Sequence, residues 1–368
     1  MAVLDNTNTM VMQNMEKSCG GNMGSPEWAS ASDSSCSTSF LDTLPRKSQE
    51  RYELIRSIGF GGMKCVLLVH DKDTGRDIAM ALMPDFKERS PEVHEQFIRE
   101  ARNTASLNHP KIVALHDIGQ DYNGAPFYTM SYLRGLPLTT VLKRIREKRP
   151  FESSYYTLDR RLRIFQRVCN AVNYAHSLNI CHLDIKPDNI MIGEFGEVRL
   201  FDWGLACETD DKGVALRQMG KLKGSPGYMA PEQISVNPDA PPVSKASDIF
   251  ALGALLYVML GFTPPFSGKD RNEVLLKTMT QDPPPLSKTA PKQSYIPSEL
   301  EAVCRKAMSK DPADRYASVS ELRAAVLSFQ SRSFQRSLTL RQNSYIWSNI
   351  ILFLFILAAV LIFFLKYF

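Results

Sequence analysis

No two cysteines in this sequence stand at C-x-x-C spacing, and their number is odd: Cys19, Cys36, Cys65, Cys169, Cys181, Cys207 and Cys304. Scattered single cysteines neither staple a small secreted fold nor hold a structural zinc ion, so a reducing, cytosolic setting is expected. A large surplus of one charge is missing too. Against 44 Lys+Arg stand 39 Asp+Glu, a formal net charge of +5, and no nucleic-acid partner is expected from so small an excess. The N-terminus lacks a basic stretch followed by an apolar run, so it does not read as a signal peptide. No internal repeat is found between Tyr52 and Gln330. What is present is ordinary: 44% hydrophobic and 23% charged residues exclude a wholly disordered chain, a collagen-like chain and a multi-span transporter.

The two ends differ from the middle. Residues 1–45 show no apolar period, and seven of the ten residues Ser30–Ser39 carry hydroxyls. Such a segment buries too little apolar surface to offset its ordering entropy, so a disordered Ser-rich arm is expected. A sharper alternative is an autophosphorylation tract. At the other end, Ile346–Leu365 contains only Ser348 and Asn349 as polar residues. At helical rise this run spans a hydrocarbon core of about 30 Å. Tyr345, Trp347 and Tyr367 lie at its borders, where amphipathic rings prefer to sit. Arg332, Arg336 and Arg341 precede it in a basic juxtamembrane segment, residues 331–345, and Lys366 follows. The bias of positive charge predicts a single-pass tail anchor at 346–365 with the body of the protein cytoplasmic.

The middle begins with short β-like runs, Tyr52–Ile58, Cys65–His70 and Asp77–Met83, broken by a turn signal at Asp73-Thr74-Gly75. A helical period follows over Pro91–Leu107, and helical patterns dominate after Leu138, including Leu158–Leu178 and Asp248–Leu260. Between the first two strands lies Ile58-Gly59-Phe60-Gly61-Gly62-Met63-Lys64-Cys65-Val66. Glycines there let backbone amides approach phosphate oxygens, although a glycine turn alone is common structure. Further on come His182-Leu183-Asp184-Ile185-Lys186-Pro187-Asp188-Asn189, then Asp202-Trp203-Gly204, then Gly224-Ser225-Pro226-Gly227-Tyr228-Met229-Ala230-Pro231-Glu232. Asp248 and Arg315 follow in Ser247-Asp248-Ile249 and Asp314-Arg315-Tyr316.

With these motifs in this order, residues 52–330 resemble a protein kinase domain, in the style of bacterial Hanks-type Ser/Thr kinases. The resemblance implies an α+β bilobal fold, a small β-rich N-lobe ahead of a larger helical C-lobe. It implies ATP and Mg²⁺, and protein substrates with Ser or Thr acceptors. By resemblance, Asp184 orients the substrate hydroxyl, Lys186 offsets charge on the transferring phosphoryl, and Asn189 and Asp202 are metal ligands. Gly59 and Gly61 cover the phosphates. Val66, Ala79, Met130, Ser131, Leu133 and Met191 surround the purine, Met130 as gatekeeper and Ser131–Leu133 as hinge. Ser225 contacts Asp184 and Lys186. Glu100 is the helix acid that pairs with a phosphate-binding lysine. For the apolar residues ordinary core packing reads equally well.

Two positions depart from the pattern. Where the strand Asp77–Met83 should carry a lysine it has Ala81, and where the third glycine of the turn should stand it has Lys64. The pair resembles the arrangement of with-no-lysine kinases, with Lys64 replacing the strand lysine. The competing reading is a tail-anchored pseudokinase scaffold that binds partners or nucleotide without transfer. Leu183 stands where many kinases place an arginine for an activating phosphate, and Thr209 is the only hydroxyl residue between Leu205 and Gly224, flanked by Glu208, Asp210 and Asp211. The basic stretch Lys143–Arg149, followed by Arg160, Arg161, Arg163 and Arg167, reads as a solvated face or as a contact for anionic lipid. A dimer stays open.

Overall fold

Alternation of apolar residues along β1 (Tyr52–Phe60), β2 (Cys65–Asp71) and β3 (Arg76–Leu82) gives a sheet with one face committed to a core. The computed structural model describes Leu44 and residues 46–60, 64–216, 224–235, 237, 239–291 and 296–335. The Ser-rich arm (Leu44 apart), Gly61 and the apolar run 346–365 lie outside them. Among the described residues no helix is long and apolar enough to cross a membrane.

The described residues up to Ile98, with Leu115–Tyr132, form one compact unit. Its sheet is antiparallel in the order β1-β2-β3-β5-β4, with β4 at Leu115–Gln120 and β5 at Pro126–Ser131. Tyr52, Cys65, Leu67, Val69, Ile78, Met80, Leu82 and Phe127 pack together with Leu44 on one face. The side chains between them therefore occupy the other face: Val66 pairs with Ala81 and with Gly59, and Ala79 pairs with Met130. A short helix α1 (Arg46–Arg51) precedes β1. Its Arg51 grips Asp71 at the end of β2 through two hydrogen bonds of 2.8 and 2.9 Å. Asp71 also accepts from the Asp73 amide and the Thr74 hydroxyl, which fixes the Asp73-Thr74-Gly75 turn with Gly75 at φ 65.

Arg99–Ala114 and the described residues from Leu133 onward form the second unit. Helix α2 (Pro91–Ser106) begins in the first unit and ends in this one. Its further elements are β6 (Gly135–Pro137), α3 (Leu138–Arg146), α4 (Pro150–Tyr155), α5 (Leu158–Ser177), β7 (Ile180–Cys181), β8 (Ile190–Gly193), β9 (Val198–Leu200), β10 (Cys207–Glu208), α6 (Pro231–Ile234), α7 (Lys245–Gly261), α8 (Arg271–Thr280), α9 (Leu286–Thr289), α10 (Ser298–Ala307) and α11 over 319–335. The hub is α7, whose residues from Ser247 to Gly261 are all buried. A helix apolar all round belongs inside a core. Its start is fixed by Ser244, which accepts from the Ala246 amide while Ser247 accepts from the Ser244 amide. Helix α5 is capped by Thr157 and stops at Asn179, whose φ of 57 is left-handed. Two small sheets, β6-β8-β9 and β7-β10, carry the loops that hold the motif residues.

Candidate active site

Asp184 follows two residues whose backbone is pinned from below. The Asp248 carboxylate at the start of α7 accepts from the amides of His182 and Leu183, both at 2.8 Å, and from His176 Nε2 at 2.8 Å. Burial alone would push the Asp248 carboxyl up; the hydrogen bonds from His176 and from the His182 amide oppose it, and the net shift is downward, so Asp248 stays ionised. Leu183 is held at φ 65, a conformation a leucine seldom adopts. Gln233 Nε2 donates to its carbonyl at 3.0 Å and completes the restraint. His182 is fixed as well: Nδ1 accepts from the Asp184 amide at 3.2 Å and Nε2 donates to the Phe201 carbonyl at 3.1 Å. That assigns its proton to Nε2.

On this frame the polar groups converge. Lys186 Nζ donates to Asp184 Oδ2 at 2.8 Å and to Ser225 Oγ at 2.6 Å. The Ser225 amide donates to Asp184 Oδ1 at 3.0 Å. Asn189 Nδ2 donates to the Asp184 carbonyl at 2.9 Å and to Oδ2 at 3.3 Å. Asn189 commits its nitrogen to Asp184 and keeps its amide oxygen for another role, that of a hard oxygen donor suited to Mg²⁺. Asp202, at φ 62, supplies a carboxylate. A side chain added at Gly204 would come within 3.3 Å of both Asp202 Oδ1 and Glu100 Oε2. Two carboxylates therefore flank one bare stretch of backbone, a donor set that fits cations and that a Cβ would crowd.

Of the expected residues, the second unit brings together Asp184, Lys186, Asn189 and Ser225, and places Asp202 and Glu100 beside Gly204; Met191 lies opposite Pro137 and Arg199 in the β6-β8-β9 sheet. The first unit places Val66, Ala79 and Met130 on one face of its sheet, with Gly59 opposite Val66. Trp203 is fully buried against His182, ring centroids 4.5 Å apart, and Asn103 Nδ2 donates to its carbonyl at 3.3 Å. The roles of His176, Gln233 and Asn103 were not legible in sequence, because each acts on a backbone group or a carboxylate far along the chain.

Residues 52–326 match the protein kinase domain family. The chain belongs to the protein kinase family. Among its relatives, serine/threonine-protein kinase PknD of Chlamydia trachomatis is 35% identical over 300 residues, covering 75% of this chain and 31% of that protein. Serine/threonine-protein kinase PknB of Mycobacterium tuberculosis is 34% identical over 285 residues, covering 77% of this chain and 43% of that protein. The kinase thus spans less than half the length of these relatives.

Four arginines of the basic region are engaged within the protein, whereas Lys143, Arg146, Lys148 and Arg149 are exposed. Arg144 pairs with Glu152 at 2.9 Å and Arg163 with Asp159 at 2.5 Å. Arg161 donates to the Met259 carbonyl and Arg167 to the Gly196 carbonyl. Burial lowers the Arg161 guanidinium to about 10.

Proposed function

We propose that the protein is an active serine/threonine kinase, a transferase that moves the γ-phosphate of ATP to Ser or Thr hydroxyls of protein substrates. The observation that carries this reading is the set Asp184, Lys186, Ser225 and Asn189, joined by hydrogen bonds of 2.6 to 3.3 Å. Phosphoryl transfer asks a protein for positioning and for charge, not for a covalent step. Asp184 accepts the proton of the acceptor hydroxyl and aims its oxygen. Lys186, already fixed by Asp184 and Ser225, stabilises negative charge on the transferring group. Asn189 and Asp202 would hold Mg²⁺, which would neutralise phosphate charge. Val66, Ala79, Met130, Ser131, Leu133 and Met191 are assigned to the purine, Gly59 and Gly61 to the phosphates. Lys64 is assigned the cation that Ala81 does not provide, with Glu100 as its acid.

The test is transfer of labelled γ-phosphate to casein, followed by phosphoamino-acid analysis. Phosphoserine and phosphothreonine are expected, without phosphotyrosine. No transfer at all would establish the alternative that Ala81 favours, a pseudokinase that binds partners or nucleotide.

We assign the apolar run 346–365 to a membrane anchor that keeps the kinase domain cytoplasmic. Full-length protein is expected to resist alkaline and high-salt extraction and to require detergent, while deletion of residues 346–368 releases it. Extraction of the full-length chain without detergent would remove the anchor from this account.

Thr209 is an unsuitable switch. It is buried, and its hydroxyl lies 3.3 Å from the Asn179 carbonyl. Thr209→Ala is expected to change the turnover rate by roughly threefold at most, the worth of one weak hydrogen bond. A hundredfold fall in the same assay would show that Thr209 carries an essential modification.

A further inference from the structure

Past Gly204, residues 207–216 are held at successive points by backbone carbonyls and amides and by one lysine. The Thr209 amide donates to the Asn179 carbonyl at 2.7 Å, extending the β7-β10 ladder. The chain then doubles back: the Asp210 amide donates to the Val214 carbonyl at 2.8 Å, and the Leu216 amide to the Glu208 carbonyl at 2.9 Å. The Asp210 carboxylate accepts from the amides of Lys212 and Val214 at 2.9 and 2.8 Å, and Gly213, at φ 80, completes the turn. The returning strand is tied to the segment entering α7. The Ala215 amide donates to the Val243 carbonyl at 2.8 Å, and the Lys245 amide to the Gly213 carbonyl at 3.0 Å.

Beneath this hairpin lies a buried apolar cluster of Cys181, Leu183 and Cys207, with Leu205, Ala215 and Val243 packed against it. Leu183 directly precedes Asp184, so the cluster that seats the hairpin also bears on the backbone of the catalytic aspartate. One cation fastens the edge. Lys245 Nζ donates to Asn179 Oδ1 at 2.7 Å. Its stem lies over Gly213, where an added Cβ would meet Lys245 Cδ at 3.1 Å. Asn179 thus takes the hairpin amide on its carbonyl and the lysine on its side chain.

We propose that Lys245 and Asn179 are positioning residues that hold residues 207–216 in register with Asp184 without phosphorylation, on the seat formed by Leu183 and its apolar neighbours. The inference rests on the kinase reading above and adds its mode of control: the charge-assisted bond that a phosphate would bring is already built between a lysine and an amide oxygen.

The full-length protein, stripped of phosphate by a phosphatase and checked by intact mass, is assayed for transfer to casein and for amide hydrogen exchange. The stripped protein is expected to keep its rate and the protection of the Thr209, Val214 and Ala215 amides. Lys245→Met and Asn179→Gly are each expected to lower kcat about tenfold, the size of one charge-assisted hydrogen bond, with KM for ATP unchanged and those amides exposed. Asn179→Gly keeps the left-handed backbone, so its loss isolates the side-chain oxygen. Lys245→Arg can still donate to that oxygen and is expected to retain both rate and protection. The double variant should lose no more than either single one. Loss of activity and protection on stripping, with recovery on rephosphorylation, would overturn the proposal. So would a Lys245→Met variant with unchanged rate and exchange. Should the unmutated protein transfer no phosphate, the kinase reading fails, and the exchange measurement by itself decides the clamp.

Discussion

Lys64→Met is expected to lower phosphoryl transfer by roughly a hundredfold or more, the usual cost of removing a charge that stabilises a transition state. ATP with its metal still carries concentrated negative charge, and a kinase must supply a cation near the α- and β-phosphates. Ala81 is fully buried and offers none. Strand β2 starts at Cys65, and its Val66 lies opposite Ala81. Side chains two residues apart along a strand share a face, so Lys64, one residue ahead of β2, is assigned to the face of Val66 and Ala81. The opposite face is the one closed by Cys65, Leu67 and Leu82. A diagonal neighbour across an antiparallel pair lies about 7–8 Å away, a distance a lysine stem spans to deliver its ammonium where the strand lysine would have put it. The absence of a side chain beyond Cβ at 81 leaves room for that ammonium. Methionine keeps the stem, so the melting temperature should hold while the rate falls. Glu100→Gln should cost less, since Asp202 still provides a carboxylate beside Gly204. Restoring lysine at 81 in a Lys64→Gly background should recover part of the rate. Transfer by Lys64→Met at the unmutated rate would refute the assignment.

The hydrogen-bonded set around Asp184 was legible as a cluster because its residues are crowded together in the chain. Asp184, Lys186 and Asn189 lie within six consecutive positions, in the motif that carries the resemblance to protein kinases. The strands were legible for the same reason: their alternation is local, and observed Cys65–Asp71 and Arg76–Leu82 differ from the expected bounds by one residue. What escaped is non-local. Asn179 and Lys245 are 66 positions apart, and nothing in either neighbourhood announces the other. Asp210, in sequence one of the acids flanking Thr209, also closes the turn by accepting from two backbone amides. A short acidic run looks the same in sequence whether its carboxylates face water or their own backbone. Arg315 shows the intermediate case: it and Glu232 each stand in a motif legible in sequence, but their pairing, 83 positions apart, is not.

Breaking the pair of Arg315 and Glu232 should have the largest effect on folding. Arg315→Met is expected to destabilise the protein by about 3–5 kcal/mol, the range for removing one member of a buried ion pair. Both side chains are essentially inaccessible, 0% and 1% exposed. Arg315 donates to the two carboxylate oxygens of Glu232 at 2.7 and 2.8 Å. Its other hydrogens go to the carbonyls of Ala246 at 2.8 Å, Ser309 at 2.9 Å and Lys310 at 3.1 Å. One side chain thus ties the end of the Gly224–Glu232 segment to the first turn of α7 and to the loop after α10. Methionine fills much of the same volume but leaves Glu232 with the Ser247 hydroxyl, at 2.7 Å, as its one remaining hydrogen-bond donor among these groups. An uncompensated carboxylate in that setting must either take up a proton or admit water, and each route loosens the packing around it. The melting temperature should fall on the order of 10 °C. Adding Glu232→Gln to Arg315→Met removes the stranded charge while keeping an oxygen for Ser247, and should restore a large part of the loss. That recovery separates charge burial from lost packing: if the double variant melts no higher than Arg315→Met, the five hydrogen bonds of the guanidinium, not the pairing of charges, hold this corner together.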